Sequence, residues 1–209
     1  MSDPLLTVLA ESQRLGFIGP VDVRLHVEHA QGFLTAAGLD PPPGRLLDLG
    51  SGGGLPALVL AEAWRDTEFW MVEANQRRVQ FLAEAVITLG WSERVTVLNG
   101  RAETVARIED LRATMDLVTA RGFGPPAVTA ECAAPFLRVG GRVVVSEPPD
   151  QGPADDLRRW PTSGLSQLGL ALVATTPTSG AHFAVLRQDA ACPDRYPRRV
   201  GIPRKRPIF

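Results

Sequence analysis

Leu46-Leu47-Asp48-Leu49-Gly50-Ser51-Gly52-Gly53-Gly54-Leu55-Pro56 is an apolar run that ends in an acid and breaks into alternating glycines before a proline. Residues 45–49 read as a short buried strand, the glycines as a tight turn, and residues 55–64 as the helix that follows, with Pro56 in its first turn. That order places backbone N–H groups at a helix N-terminus facing open space, where a polar ligand binds. Glycines at alternate positions also occur in ordinary turns, so the surrounding sequence has to decide between the two readings.

Downstream, strand and helix patterns alternate: strands at 68–72, 95–98, 115–119 and 142–146, helices at 75–89 and 126–137. In the helix at 75–89, Val79, Leu82, Val86 and Leu89 share one face. Short apolar strands separated by helices predict a parallel sheet covered on both sides, with ligands at its carboxyl edge. Upstream, residues 5–15 and 22–37 read as two helices that form an N-terminal cap over residues 1–40. The second carries Leu25, His29, Phe33 and Ala36 or Ala37 at helical spacing, and Pro41-Pro42-Pro43-Gly44 ends it. After a Pro/Asp/Gly-rich link at 148–153 come a short helix near Trp160 and two strand-like runs, 168–174 and 181–186, joined by residues 176–180 as an antiparallel hairpin.

Composition sets the outer bounds. At 209 residues the chain is expected to form a single α/β domain. Its apolar runs are far shorter than a membrane span. The first ten residues lack a basic stretch followed by an apolar core, so a cytoplasmic location is expected. A net charge of −1 excludes a uniformly basic nucleic-acid clamp, and charge must act locally. Lys205 is the only lysine, which excludes lysine chemistry within the body of the domain. Cys132 and Cys192 form no Cys-x-x-Cys pattern, and His26, His29 and His182 lack metal spacing, so neither a disulfide framework nor a metal is expected.

The glycine spacing differs from the Gly-x-Gly-x-x-Gly of a dinucleotide fold, and Asp48 before the loop suits a ligand bearing an ammonium group better than one bearing a pyrophosphate. Both features point to S-adenosylmethionine. Glu73, at the end of the second strand, is placed to accept two ribose hydroxyls, although a solvated strand end reads the same way. Asn99-Gly100-Arg101-Ala102-Glu103 forms a third loop on the same edge, able to cover an adenine ring; Glu103 in the first turn of a short helix is an equal reading.

Five stretches carry a resemblance: Leu-Asp-Leu-Gly-Ser-Gly-Gly-Gly-Leu-Pro (47–56), Val-Glu-Ala-Asn-Gln-Arg-Arg-Val-Gln-Phe-Leu (72–82), Gly-Arg-Ala-Glu (100–103), Thr-Ala-Arg-Gly-Phe (119–123) and Tyr-Pro-Arg-Arg-Val-Gly-Ile-Pro-Arg-Lys-Arg-Pro (196–207). From about residue 45 to the C-terminus the chain resembles the bacterial 16S ribosomal RNA guanine-N7 methyltransferase family, also called glucose-inhibited division protein B. The resemblance implies a class I methyltransferase fold of Rossmann-like type, a seven-stranded, mostly parallel sheet whose last strand is antiparallel. It further implies Asp48, Gly50, Ser51, Gly52, Gly54 and Leu55 around the methionine end of the cofactor, Glu73 at the ribose and Ala102 and Glu103 at the adenine. Arg121 would stand at the mouth of the active site as its catalytic residue and a cofactor contact.

The chain departs from the family pattern twice. Val23-Arg24-Leu25-His26-Val27-Glu28-His29-Ala30 replaces an Arg-His…Asp-Ser motif, leaving His26 or His29 to stand in, and Glu147 follows the fifth strand where the family tends to carry lysine. Guanine N7 has a free in-plane lone pair, so its methylation requires orientation and no strong base. Phe123 beside Arg121 is a stacking partner for an unstacked guanine or a core residue. The basic tail at 190–209, with Arg198, Arg199, Arg204 and Lys205, is expected to lie along RNA phosphates. The partner expected is 16S rRNA or the small ribosomal subunit, bound by a monomer. The alternatives are a diverged methyltransferase for a small molecule or another RNA, and a non-catalytic ribosome-binding homologue that keeps the fold.

Overall fold

A computed structural model describes residues 1–148, 153–178 and 181–209; for residues 153, 154, 177 and 178 only the backbone is described. The chain opens with α1 (Asp3–Arg14) and α2 (Val23–Ala37), then alternates β1 (Arg45–Leu49), α3 (Ala57–Ala63), β2 (Glu68–Glu73), α4 (Gln76–Thr88), β3 (Val95–Asn99), α5 (Ala102–Val105), β4 (Met115–Ala120), α6 (Pro126–Ala133) and β5 (Leu137–Glu147). It closes with α7 (Pro153–Arg159), α8 (Thr162–Leu165), the hairpin β6 (Leu170–Thr178) and β7 (Ala181–Gln188), and α9 (Ile202–Lys205). The expected link lies largely, and the tip of the expected hairpin turn wholly, outside the described residues.

The seven strands form one sheet in the order β3-β2-β1-β4-β5-β7-β6. The first five run parallel, and β7 inserts antiparallel between β5 and β6. The order reverses between β1 and β4, so the loops after these strands diverge and leave a crevice at the carboxyl edge. The parallel sheet is the one the alternation predicts, and its seven strands with the last antiparallel form the class I methyltransferase architecture that the resemblance implies.

Strand alternation assigns side chains to two cores. Leu46, Leu117, Val144, Phe183 and Val185 face α1 to α4 and pack with Leu5, Phe33, Leu58 and Phe81. Leu47, Leu49, Val118, Val143, Val145 and Leu186 face the other side and pack with Phe136, Trp160 and Leu165. Burial on both faces explains why the strands read as continuous apolar runs.

Three local expectations are corrected. Leu25, expected on the packed face of α2, is 55% exposed. The buried stripe runs through His26, Val27, Ala30, Phe33 and Ala37, because His26 finds polar partners inside. Pro56 precedes α3 at its N-cap instead of sitting in its first turn. The helix at 126–137 also ends early, in a 3-10 turn at Ala134–Phe136 that feeds a longer β5.

Candidate active site

The glycine loop does not present the bare backbone N–H groups anticipated above. Gly50 N–H and Ser51 N–H donate to the Val72 carbonyl at 2.8 and 3.1 Å, Gly52 N–H to Glu73 Oε2 at 2.9 Å and Gly54 N–H to the Ser51 carbonyl at 2.7 Å. These donors are consumed by the protein, since β2 lies close enough beside β1 to accept them. The loop amides therefore have little to offer a pyrophosphate. Gly50, at φ +68°, carries no side chain because a Cβ would stand 2.8 Å from the Phe123 ring.

A cavity of about 460 Å³ opens at the carboxyl edge. Gly50, Val72 and Glu73 form its floor, Gly100 to Glu103 one wall, and Phe123, Val128 and Cys132 the other. Glu73 is 7% exposed; its Oε1 accepts from Ala74 N–H and Asn75 N–H, both at 2.8 Å. With Oε2 on Gly52, the carboxylate is pinned in one orientation and keeps free lone pairs for a diol. Ala102 and Glu103 begin α5, so both readings of Glu103 hold together: it lies in a helical first turn and it lines the cavity.

Asp48 lies beneath the loop, 1% exposed. Its Oδ1 accepts from Thr119 Oγ1 at 2.6 Å, while Oδ2 is buried without a partner. Burial pushes its carboxyl up to about 6, offset in part by the hydroxyls of Thr119 and Ser51. An orphaned buried carboxylate oxygen calls for a cationic donor. Of the glycine-loop residues singled out from sequence, Gly50 lines the cavity; Ser51, Gly54 and Leu55 are buried behind it, and Gly52 is tied to Glu73. Gly54 is a packing glycine: a Cβ there would meet Leu58 Cδ1 at 2.4 Å.

Arg121 follows β4 and turns to the α2 side of the sheet, where its Nη2 lies 3.1 Å from His26 Nδ1. His26 is held from the other side by the Gly19 carbonyl at 3.0 Å. One helical turn on, His29 Nε2 shares a hydrogen bond with Ser146 Oγ at 3.0 Å, and its Nδ1 is buried without a partner. Asp48, Thr119 and Ser146 project to this same face. Both histidines of the departing motif thus join a polar cluster around Arg121, a grouping that single-residue reasoning left unresolved. Phe123 lies on the cavity side, over Gly50. Glu147, expected after the fifth strand, is the last residue of β5; it is paired with Arg159 of α7 and its side chain is 3% exposed, so it is not a free charge.

The tail is docked. Tyr196 is 5% exposed, and Arg198 grips the fully buried Glu131 of α6 through Nε at 2.9 Å and Nη2 at 2.6 Å. That engagement removes Arg198 from the free cations of the tail, whereas Arg199, Arg204 and Lys205 are exposed, and Arg204 reaches the cavity. Among the described residues no cluster of metal ligands is present, and no helix is long and apolar enough to cross a membrane.

The family described as rRNA small subunit methyltransferase G matches residues 23–148 of this chain. A ribosomal RNA small subunit methyltransferase G of Leuconostoc mesenteroides is 32% identical over 191 residues, covering 88% of this chain and 79% of its own length. Among solved structures, a putative O-methyltransferase from Klebsiella pneumoniae superimposes with a TM-score of 0.63 at 17% identity, covering 91% of this chain and 92% of its own. Geranyl diphosphate C-methyltransferase from Streptomyces coelicolor, in complex with Mg2+, geranyl diphosphate and S-adenosyl-L-homocysteine, does so with a TM-score of 0.61 at 12% identity, over 79% of this chain and 80% of its own. At such identities the two structures share the fold.

Proposed function

Because the chain belongs to the rRNA small subunit methyltransferase G family, we propose that it is an S-adenosylmethionine-dependent methyltransferase acting on guanine N7 of 16S ribosomal RNA. The carrying observation is an acceptor-rich cavity beside an orphaned buried carboxylate: Glu73 and Glu103 line the space, and Asp48 Oδ2 lacks a donor. Such a set of carboxylates suits an ammonium, a ribose diol and an adenine amino group. S-adenosylmethionine supplies, when bound, an electrophilic methyl group.

The chain's own residues bind and orient. Glu73 holds the ribose, Ala102 and Glu103 the adenine, and Asp48 balances the ammonium charge. Arg121, braced by His26, steers the acceptor towards the methyl. No general base is required, since N7 carries no proton, and holding two reacting atoms at near-attack distance accounts for about 7–11 kcal/mol of barrier lowering in well-oriented reactions. The partner is the small ribosomal subunit or its RNA, approached by a cytoplasmic monomer through Arg199 and Lys205, exposed tail cations that stand outside the cavity.

A second reading, methylation of another RNA or a small molecule, is favoured by the Glu147–Arg159 pair, which stands where family members tend to carry a free lysine. Labelled methyl transfer to small subunits lacking native modification, followed by nucleoside mass spectrometry, separates the two. 7-Methylguanosine supports the first reading; cofactor binding without that product supports the second; no cofactor binding removes both and leaves a ribosome-binding homologue.

A further inference from the structure

Residues 196–206 are fastened to both walls of the cavity, although their sequence suggests a free cationic tail. Two contacts tie them to α5 and α6, the short helices that carry residues of the two walls. Gly201 N–H donates to Glu103 Oε1 at 2.9 Å, tying the segment to α5. Arg198 N–H and Nε both donate to Glu131 Oε1 at 2.9 Å, and its Nη2 donates to Glu131 Oε2, tying the segment to α6, which presents Val128 and Cys132 to the cavity. Arg112 and Arg107 hold the carbonyls of Tyr196 and Pro197, so the entry to the segment is anchored as well. Beyond these fasteners, α9, whose N-cap Gly201 is the residue bonded to Glu103, brings Arg204 one turn on to the lining of the cavity.

The walls need this support. α5 is four residues long and α6 eight, too short to hold a shape without tertiary contacts. Glu103, with Oε1 fixed on Gly201, keeps Oε2 for a ligand, its nearest cation being Arg101 Nε at 3.8 Å. A guanidinium at the same end adds a planar donor group able to stack on a purine.

We propose that the C-terminal segment is part of the cofactor site: Arg204 contacts the adenosine end of the ligand, and Arg198 and Gly201 position α6 and Glu103 around it. This rests on the reading that the cavity takes S-adenosylmethionine. It makes the segment a determinant of cofactor affinity, which its basic composition alone would assign to RNA.

The experiment is isothermal titration of S-adenosylhomocysteine into the full-length protein and its Arg204→Ala, Arg198→Ala and Arg198→Lys variants, with the melting temperature of each measured without ligand. Arg204→Ala should weaken S-adenosylhomocysteine about fivefold with no change in melting temperature, the loss of one charge-assisted contact. Arg198→Ala should weaken it further, with Arg198→Lys recovering part of the loss. Unaltered Kd in Arg204→Ala would overturn the proposal whatever happens to the Arg198 variants, as would an Arg204→Ala that changes only RNA affinity. A wild-type protein that does not bind S-adenosylhomocysteine would instead remove the cofactor reading itself, a result distinguishable from either.

Discussion

Asp48 and His29 are the two titratable groups through which pH should speak to this protein, and they act with opposite signs. The Asp48 carboxyl is raised from 3.8 to about 6 by burial. Folding therefore favours its protonated form, and the stability it contributes is full below its unfolded value and is lost as pH rises through 6. Binding of an ammonium requires the ionised form, so affinity for S-adenosylhomocysteine should fall about tenfold per unit below pH 6. Calorimetry from pH 5 to 8 measures this, and Asp48→Asn should bind weakly with a flat profile. His29 is lowered from 6.5 to about 4, by burial first and then by the charges of Arg121 and His26. Its contribution to stability is present above pH 6.5 and is lost as pH falls through about 4. Replacing it in His29→Gln should flatten the acid limb of a plot of melting temperature against pH; a superimposable limb would show that other groups set it.

The N-terminal cap and the glycine loop meet at Gly53. Ser12 Oγ donates to the Gly53 carbonyl at 2.8 Å, and a Cβ on Gly53 would stand 2.4 Å from Ser12 Oγ, 2.6 Å from Ile18 Cγ2 and 3.0 Å from the Phe17 carbonyl carbon. Gly53→Ala should accordingly displace α1 and the turn after it, at a cost of about 2 kcal/mol from overpacking. Gly90→Ala is the control: φ is +71° but the space is open, so only the left-handed backbone penalty of about 1 kcal/mol applies. Urea denaturation of the two variants ranks them. α2 shows why periodicity alone misplaces a helix face by one residue. Leu25 is apolar and exposed, whereas His26 is polar and buried, because Gly19 and Arg121 supply partners that no hydropathy pattern contains.

Across the molecule, charge is nearly balanced, and cationic contact with RNA must come from a few positions. With Arg198 occupied by Glu131, the outward cations of the docked segment are Arg199, Lys205 and Arg206. Removing two of them in an Arg199→Ala/Lys205→Ala double variant should weaken binding to small-subunit RNA. It should also reduce the slope of log affinity against log salt by about 1.5 to 2, one phosphate contact per cation. Filter binding over a potassium chloride series checks it; a parallel slope would place the RNA on another face.

The sequence order of the seven strands, the parallel sheet with its terminal hairpin, and the edge on which the cavity opens were legible in the linear chain. Each follows from local periodicity, turn residues and the handed geometry of parallel connections, which are properties of neighbouring residues. Asp48, Glu73 and Glu103 could be picked out because strand ends and glycine turns mark the carboxyl edge. What the loop amides bind, which histidine meets Arg121, what neutralises Glu147 and where the basic tail lies depend on groups 12 to 98 residues apart, as Glu147–Arg159 and Gly201–Glu103 show. Those partnerships are decided by which side chains the packed core leaves facing one another, and only the tertiary structure contains that juxtaposition. A guanidinium binds a phosphate or a buried carboxylate with the same chemistry; Arg198 met Glu131 because β4 and α6 carried that acid beneath the returning chain.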